Sequence, residues 1–138
     1  MTAKKYLEQA FYLDKHINSL LLQKQDLKSK ALNVSSGSGN SGGGNGVPDD
    51  RISPIVAKIV DMEADIDKKI DRYVELKREI ADRIESLENE RHRLVLKERY
   101  INFKKGEQIA VDNSIDLRWM YRLRASALKV FSKKYNFQ

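Results

Sequence analysis

The sequence predicts an all-α protein: a long, coiled-coil-like helical hairpin, then a C-terminal pair of short helices in helix-turn-helix form. Three observations predict it. Two apolar stripes stepping by three and four run through residues 3–32 and 55–87, the a/d spacing of helices that pack along one face. Six of the seven glycines fall between Gly37 and Gly46, with the two prolines nearby at Pro48 and Pro54, so the helix breakers are gathered into one stretch. No segment alternates with the period of two that marks a strand.

The first helix is expected over residues 3–32. Tyr6, Ala10, Leu13, Ile17, Leu20, Leu27 and Ala31 form its seam, and Lys24 is the one polar residue in the series. At 1.5 Å per residue it reaches roughly 45 Å. A Gly/Ser/Asn linker over 34–52 follows, long enough for helix 1 to fold back on its own chain or to reach a second copy. The second helix is expected to open at Ser53 as N-cap with Pro54 in its first turn. Its stripe is Ile55, Ile59, Met62, Ile66, Ile70, Tyr73, Leu76, Ile80, Ile84 and Leu87, with acids and bases alternating between, the pattern of a solvated helix with one adhesive face. Asn89 caps a third helix, Glu90 to Tyr100, whose apolar residues are Leu94, Val95 and Tyr100. His92 reads as a surface residue of its first turn. A loop around Asn102–Gly106 leads to a fourth helix, Glu107 to about Asp112, with Ile109 and Ala110 inward. After a turn at Asn113 or Ser114, a fifth helix opens behind Asp116 as N-cap and runs to about Lys134. Met120, Leu123, Ala127, Leu128 and Phe131 form its inner face. The expected domains are thus 1–88, the hairpin, and 89–138, the helix-turn-helix.

Charge is placed unevenly. Residues 1–85 hold 14 basic and 14 acidic side chains, whereas residues 86–138 hold 12 basic and 6 acidic and carry the whole net charge of +6. Beyond Ser114 stand Arg118, Arg122, Arg124, Lys129, Lys133 and Lys134 against Asp116 alone. Such a tail suits a polyanion partner, although charge alone favours a solvated face. Spacing sharpens the reading. Two short helices with a small residue, Ala110, at their crossing and a basic second helix outline a DNA-reading helix-turn-helix. Leu117, Arg118, Tyr121 and Arg122 occupy the exposed start of that second helix. Arginine can fork onto guanine O6 and N7, and leucine can meet a thymine methyl. Arg124, Lys129, Lys133 and Lys134 complete the candidate DNA contacts, the last two toward phosphate. Trp119 fits a core edge, a DNA neighbour or a protein contact.

The stretch ERYINFKKGEQIAVDNSIDLRWMYRLRASAL resembles the region-4 helix-turn-helix of bacterial sigma factors, through Arg99-Tyr100, Glu107-Gln108-Ile109-Ala110 and Ala127-Leu128. The layout of the whole chain resembles small Gram-positive phage proteins of the ArpU and RinA late-regulator type. Met1-Thr2-Ala3-Lys4, Tyr6-Leu7, Gln9-Ala10 and AKIVDMEADID carry that likeness, which spans most of the chain outside the linker. Two residues depart from the pattern: Gly106 stands where a bulky residue is common, and Asp116 where serine or threonine is usual. The resemblance implies a phage or prophage transcription regulator that binds double-stranded DNA and activates late genes in the cytoplasm of a bacterial host. RNA polymerase is a second implied partner.

Other classes fit poorly. The two histidines, His16 and His92, lie on separate helices, without the convergent spacing of a metal site. The glycine tract runs into Val47-Pro48 rather than the Lys-Ser/Thr of a phosphate loop. No enzymatic activity and no cofactor are expected. With no cysteine there is no disulfide. The start lacks a signal peptide's basic and apolar regions, and no apolar run has the length of a membrane span. A homo-oligomer, most simply a dimer, is expected through Leu13, Ile17, Leu20, Ile59, Met62, Ile66, Tyr73 and Ile80, because a two-helix hairpin leaves much of each seam uncovered. The rival reading is a helical interaction protein that docks on RNA polymerase or another host factor without reading DNA.

Overall fold

The computed structural model describes residues 1–37 and 52–138. Every regular element among them is helical: α1 (Ala3–Gly37), α2 (Ile52–Glu85), α3 (Glu90–Tyr100), α4 (Gly106–Asp112) and α5 (Leu117–Lys134). None of these helices is long and apolar enough to cross a membrane. The expected linker lies, between residues 38 and 51, outside the described residues. At its edges the expectation shifts: α1 runs five residues beyond Leu32, and α2 opens at Ile52, so Ser53 sits inside its first turn and not ahead of it. Helix ends fray and extend by such margins where no local cap fixes them.

Packing divides the chain into two units, residues 1–14 with 72–138, and residues 15–71. Sequence placed the division at residue 88. The first turns of α1 and the last of α2 instead share a core with α3, α4 and α5. Leu7, Ala10, Ile80, Ile84, Leu87, Val95, Leu96, Ile109, Met120, Ala127 and Phe131 are buried together in it. Here α1 runs antiparallel to α2. Tyr6 donates its hydroxyl to Glu79 at 2.8 Å, and Leu13 and Leu76 line one groove. Burial and that carboxylate push the Tyr6 hydroxyl well above the ordinary phenol range. The Arg83 guanidinium lies over both the Tyr6 ring, at 5.0 Å, and the Tyr135 ring, at 4.8 Å.

In the unit of residues 15–71 the seam residues are the sheltered ones. Ile17 and Ile66 are buried, while Leu20, Leu27, Ile59 and Met62 are half-buried. Lys24, the polar member of the first seam, is half-buried too, and both Lys24 and Lys28 approach Glu63, at 3.8 and 3.7 Å. One seam assignment fails. Ile70 is exposed, and Lys69 takes the sheltered position with its ammonium on Asp65 at 2.8 Å. Steps of three and four from Ile66 to Tyr73 pass through residue 69 as readily as through 70. The sequence reading let the apolar residue decide.

Helix ends are set by short-range chemistry. Asn89 Oδ1 accepts from the backbone N–H of Arg91 and His92, so α3 starts where expected. Arg93 donates to the carbonyls of Leu87 and Glu88 and fixes the α2–α3 corner. The C-termini turn through left-handed residues: Phe103 at φ 57°, Ser114 at φ 53° and Asn136 at φ 56°.

Candidate nucleic-acid interface

Three short helices build this region. α3 packs on α5 and α4, and α4 packs on α5. α3 turns Val95, Leu96 and Tyr100 inward, as does α5 Met120, Ala127 and Phe131. Two expectations for α3 are corrected. Leu94 is exposed, and His92 is buried, its Nε2 3.3 Å from Ser126 Oγ on α5. Neighbours from α5, 34 residues away, bury His92, and the local pattern of α3 carries no trace of them.

The loop into α4 is held by charge. Lys104 Nζ lies 2.6 Å from Glu98 on α3 and 3.0 Å from Asp112 on α4, and Gln108 donates to the other Asp112 oxygen at 2.6 Å. The Lys104 carbonyl accepts from Arg99 at 3.1 Å. Hydrogen bonds from Lys104 and Gln108 hold the Asp112 carboxyl below its usual range, and those to Glu98 and Asp112 hold the Lys104 ammonium above its own.

α4 begins at Gly106, not Glu107. A methyl group at Gly106 would stand 2.6 Å from Met120 Cε and 3.0 Å from Tyr121 Oη. The departure from the sigma-like pattern at this position therefore tightens the entry to α4: without a Cβ here the first turns of α5 come close, and a Cβ would need the Met120 tip and the Tyr121 ring to give way. The turn between the helices closes as a Schellman motif. The N–H of Ser114 donates to Val111 and that of Ile115 to Ala110, while the Asn113 amide donates to the Ile109 carbonyl at 2.8 Å. Asp116 occupies the N-cap of α5 with extended backbone, but its side chain makes no capping hydrogen bond.

On α5, Leu117, Arg118, Tyr121, Arg122, Lys129 and Lys133 are exposed. Arg118, Arg122, Lys129 and Lys133 repeat at helical spacing and share one face, opposite Met120, Ala127 and Phe131. None of the four side chains makes an ion pair or hydrogen bond among the described residues. Arg124 is half-buried, with its guanidinium 5.2 Å from the Tyr121 ring. Lys134 differs from its neighbours. Its ammonium donates to the Ser86 carbonyl at 2.6 Å, which draws it toward the end of α2. Trp119 is 45 % and Val111 73 % exposed, so Trp119 is no core residue. Among the described residues no group of three or more His, Asp or Glu is placed to hold a metal ion.

Of the residues expected to join two copies, Ile17, Ile66 and Ile80 are buried within one chain, Ile80 completely. Leu13, Leu20, Ile59, Met62 and Tyr73 are half-buried. The large hydrophobic residues most open on the long helices are instead Tyr12, Leu22, Leu32, Val56, Val60 and Val74.

The family described as "Protein of unknown function (DUF1492)" matches residues 33–132. The chain belongs to that family. The match takes in α2, α3, α4 and nearly all of α5, and so includes Gly106, the Ser114 turn, Arg118, Arg122 and Lys129. The first turns of α1, with Lys4, Tyr6 and Leu7, lie before it. No curated protein and no solved structure matches the chain.

Proposed function

We propose that the chain is a DNA-binding transcription regulator of phage or prophage type, acting in the bacterial cytoplasm and activating late genes through α4 and α5 as a sigma-like helix-turn-helix. The observation that carries this reading is the free basic face of α5: two arginines and two lysines, unpaired within the described residues, on a helix whose opposite face is the core. Charges left without carboxylate partners attract a polyanion, and their helical spacing suits a groove. Leu117, Arg118, Tyr121 and Arg122 would meet base edges, and Lys129 and Lys133 phosphates, with Arg124 steadying Tyr121. Lys134 is withdrawn from this set by its bond to Ser86. The likeness to sigma region 4 and to ArpU- and RinA-type regulators supports the same assignment and supplies the late-gene context.

The test is binding of the purified chain to fragments of a phage or prophage genome across a salt series. A specific fragment held more tightly than the rest, with affinity falling steeply as salt rises, is the expected outcome. Weak, sequence-blind attraction to every fragment would overturn the reading.

One observation favours a second reading. Val111 and Trp119 expose apolar surface close to the turn, and exposed apolar side chains near a basic face suit a protein partner. RNA polymerase is the natural candidate. Retention of polymerase by the chain without DNA, lost in Trp119→Ala, would support it.

A further inference from the structure

We infer that Lys4, on the first turn of α1, forms with Lys129 and Lys133 of α5 a phosphate-binding groove that extends the DNA contact beyond the recognition turns. The inference rests on the proposed DNA-binding reading and adds a residue that lies outside the family match.

Lys4, Lys129 and Lys133 line one open groove of about 390 Å³ together with Thr2, Ala3, Leu128, Ser132 and Gln138. No acid lines it. All three lysines are exposed, and none makes an ion pair or hydrogen bond from its side chain among the described residues. Three ammonium groups around one groove repel one another, and a strand of phosphates relieves that repulsion. Packing accounts for the convergence. Tyr6 stacks with Phe131 at 6.1 Å and meets Phe137 at 5.0 Å, which clamps the start of α1 to the end of α5. Lys4, two residues before Tyr6 and next to the buried Ala3, stands at the flank of that clamped helix and reaches the rim.

Register agrees with the occupant. Arg118 and Lys133 lie 15 residues apart on one face of α5, roughly 22 Å at 1.5 Å per residue. Measured along the duplex axis, that length corresponds to about six phosphates of one strand at roughly 3.4 Å of axis each. With the first turns of α5 at the bases, the far end and Lys4 reach only backbone. The groove's contribution is therefore to affinity, the same for every sequence.

The experiment measures affinity of the full chain and of Lys4→Gln for several duplexes across a salt series, with Lys4→Arg and Lys58→Gln alongside. Lys58 is an exposed lysine of α2 that does not line the groove. Lys4→Gln is expected to weaken binding to all duplexes by the same factor. It should also reduce the slope of log affinity against log salt by about 0.9. Lys4→Arg should restore both, and Lys58→Gln should leave both as in the parent chain. An unchanged slope in Lys4→Gln, with the parent chain still bound steeply, overturns the groove and leaves the helix-turn-helix reading standing. An equal loss in Lys58→Gln reduces the effect to net charge and also overturns it. A parent chain with no salt-dependent binding to any duplex overturns both.

Discussion

Ser114 sits in the left-handed region, where a Cβ costs about 1–2 kcal/mol and glycine pays no such penalty. Ser114→Gly is therefore expected to raise stability by up to about 1 kcal/mol, and Ser114→Val to lower it by about 1–2 kcal/mol, read by urea denaturation at constant slope. Gly106 makes the opposite demand on substitution. Met120 Cε is a flexible tip and yields to a methyl group, but the Tyr121 ring leaves little beyond it. Gly106→Ala should stay within about 1 kcal/mol of the parent, whereas Gly106→Leu should lose about 1–3 kcal/mol by overpacking. Arg118→Ala and Arg122→Ala should leave the fold intact. Where either reads a guanine, the variant should lose about 1–3 kcal/mol of specific DNA affinity and relax preference at one base pair. Unchanged affinity for a mapped site in both would remove these residues from the recognition surface. Sequence alone nominated the turn and the two arginines, because turn chemistry and helical spacing are local. It could not see what Gly106 is for, since the atoms that crowd a Cβ there come from α5.

Among the elements, the α3–α4 loop depends most visibly on pH. Asp112 has its pKa lowered by Lys104 and Gln108, so its contribution is present above the ordinary carboxylate range and lost as pH falls through the lowered value. Lys104 has its pKa raised by Glu98 and Asp112, so its contribution is present below the ordinary lysine range and lost as pH rises through the raised value. The parent chain is thus expected to lose melting temperature at both extremes. Lys104→Gln should flatten both limbs relative to the parent. A variant whose melting temperature follows the parent curve at acid and alkaline pH would show the ion pairs to be without consequence. The α3 boundary was legible because Asn89 and the groups it caps lie within three residues of one another. The burial of His92 was not, for it depends on Ser126. Lys69 and Ile70 show a third case: near-integral helical spacing admits two neighbouring positions, and hydrophobicity alone selects the wrong one.

At the scale of the whole molecule the long helices raise the question of a second copy. Ile17, Ile66 and Ile80 are already covered within one chain, so the expected dimer would use the half-buried Leu13, Leu20, Ile59 and Met62. Two recognition helices on half-sites a helical turn apart would then gain affinity that one lacks. Light scattering should give twice the chain mass at micromolar concentration, and Leu20→Asp with Met62→Asp should halve it without unfolding. A parent chain that stays at single mass would end the proposal. The hairpin itself was readable from its two stripes. The regrouping of residues 1–14 with the C-terminal helices was not, because it rests in part on Phe137, which lies beyond α5 and on none of the apolar faces read from the sequence. Phe137 closes on Phe131 with ring centroids 5.9 Å apart, and its N–H donates to Ser132. Phe137→Ala is expected to cost about 1–3 kcal/mol. It should also speed hydrogen exchange over residues 3–10 while leaving residues 17–30 unchanged.

The contact of Tyr6 with Phe131 and Phe137 also fixes a timetable for synthesis. Tyr6 leaves the ribosome well before its partners Phe131 and Phe137, which are added 125 and 131 residues later. Until they emerge, Tyr6, Leu7 and Ala10 present an apolar strip with nothing to cover it, during which a chaperone or another nascent chain can bind there. Closing so long a loop is also slow relative to forming α1 or α2 alone. The unit that holds α5 should therefore complete its core only once Phe131 and Phe137 have emerged, with the turns of α1 and α2 already in place.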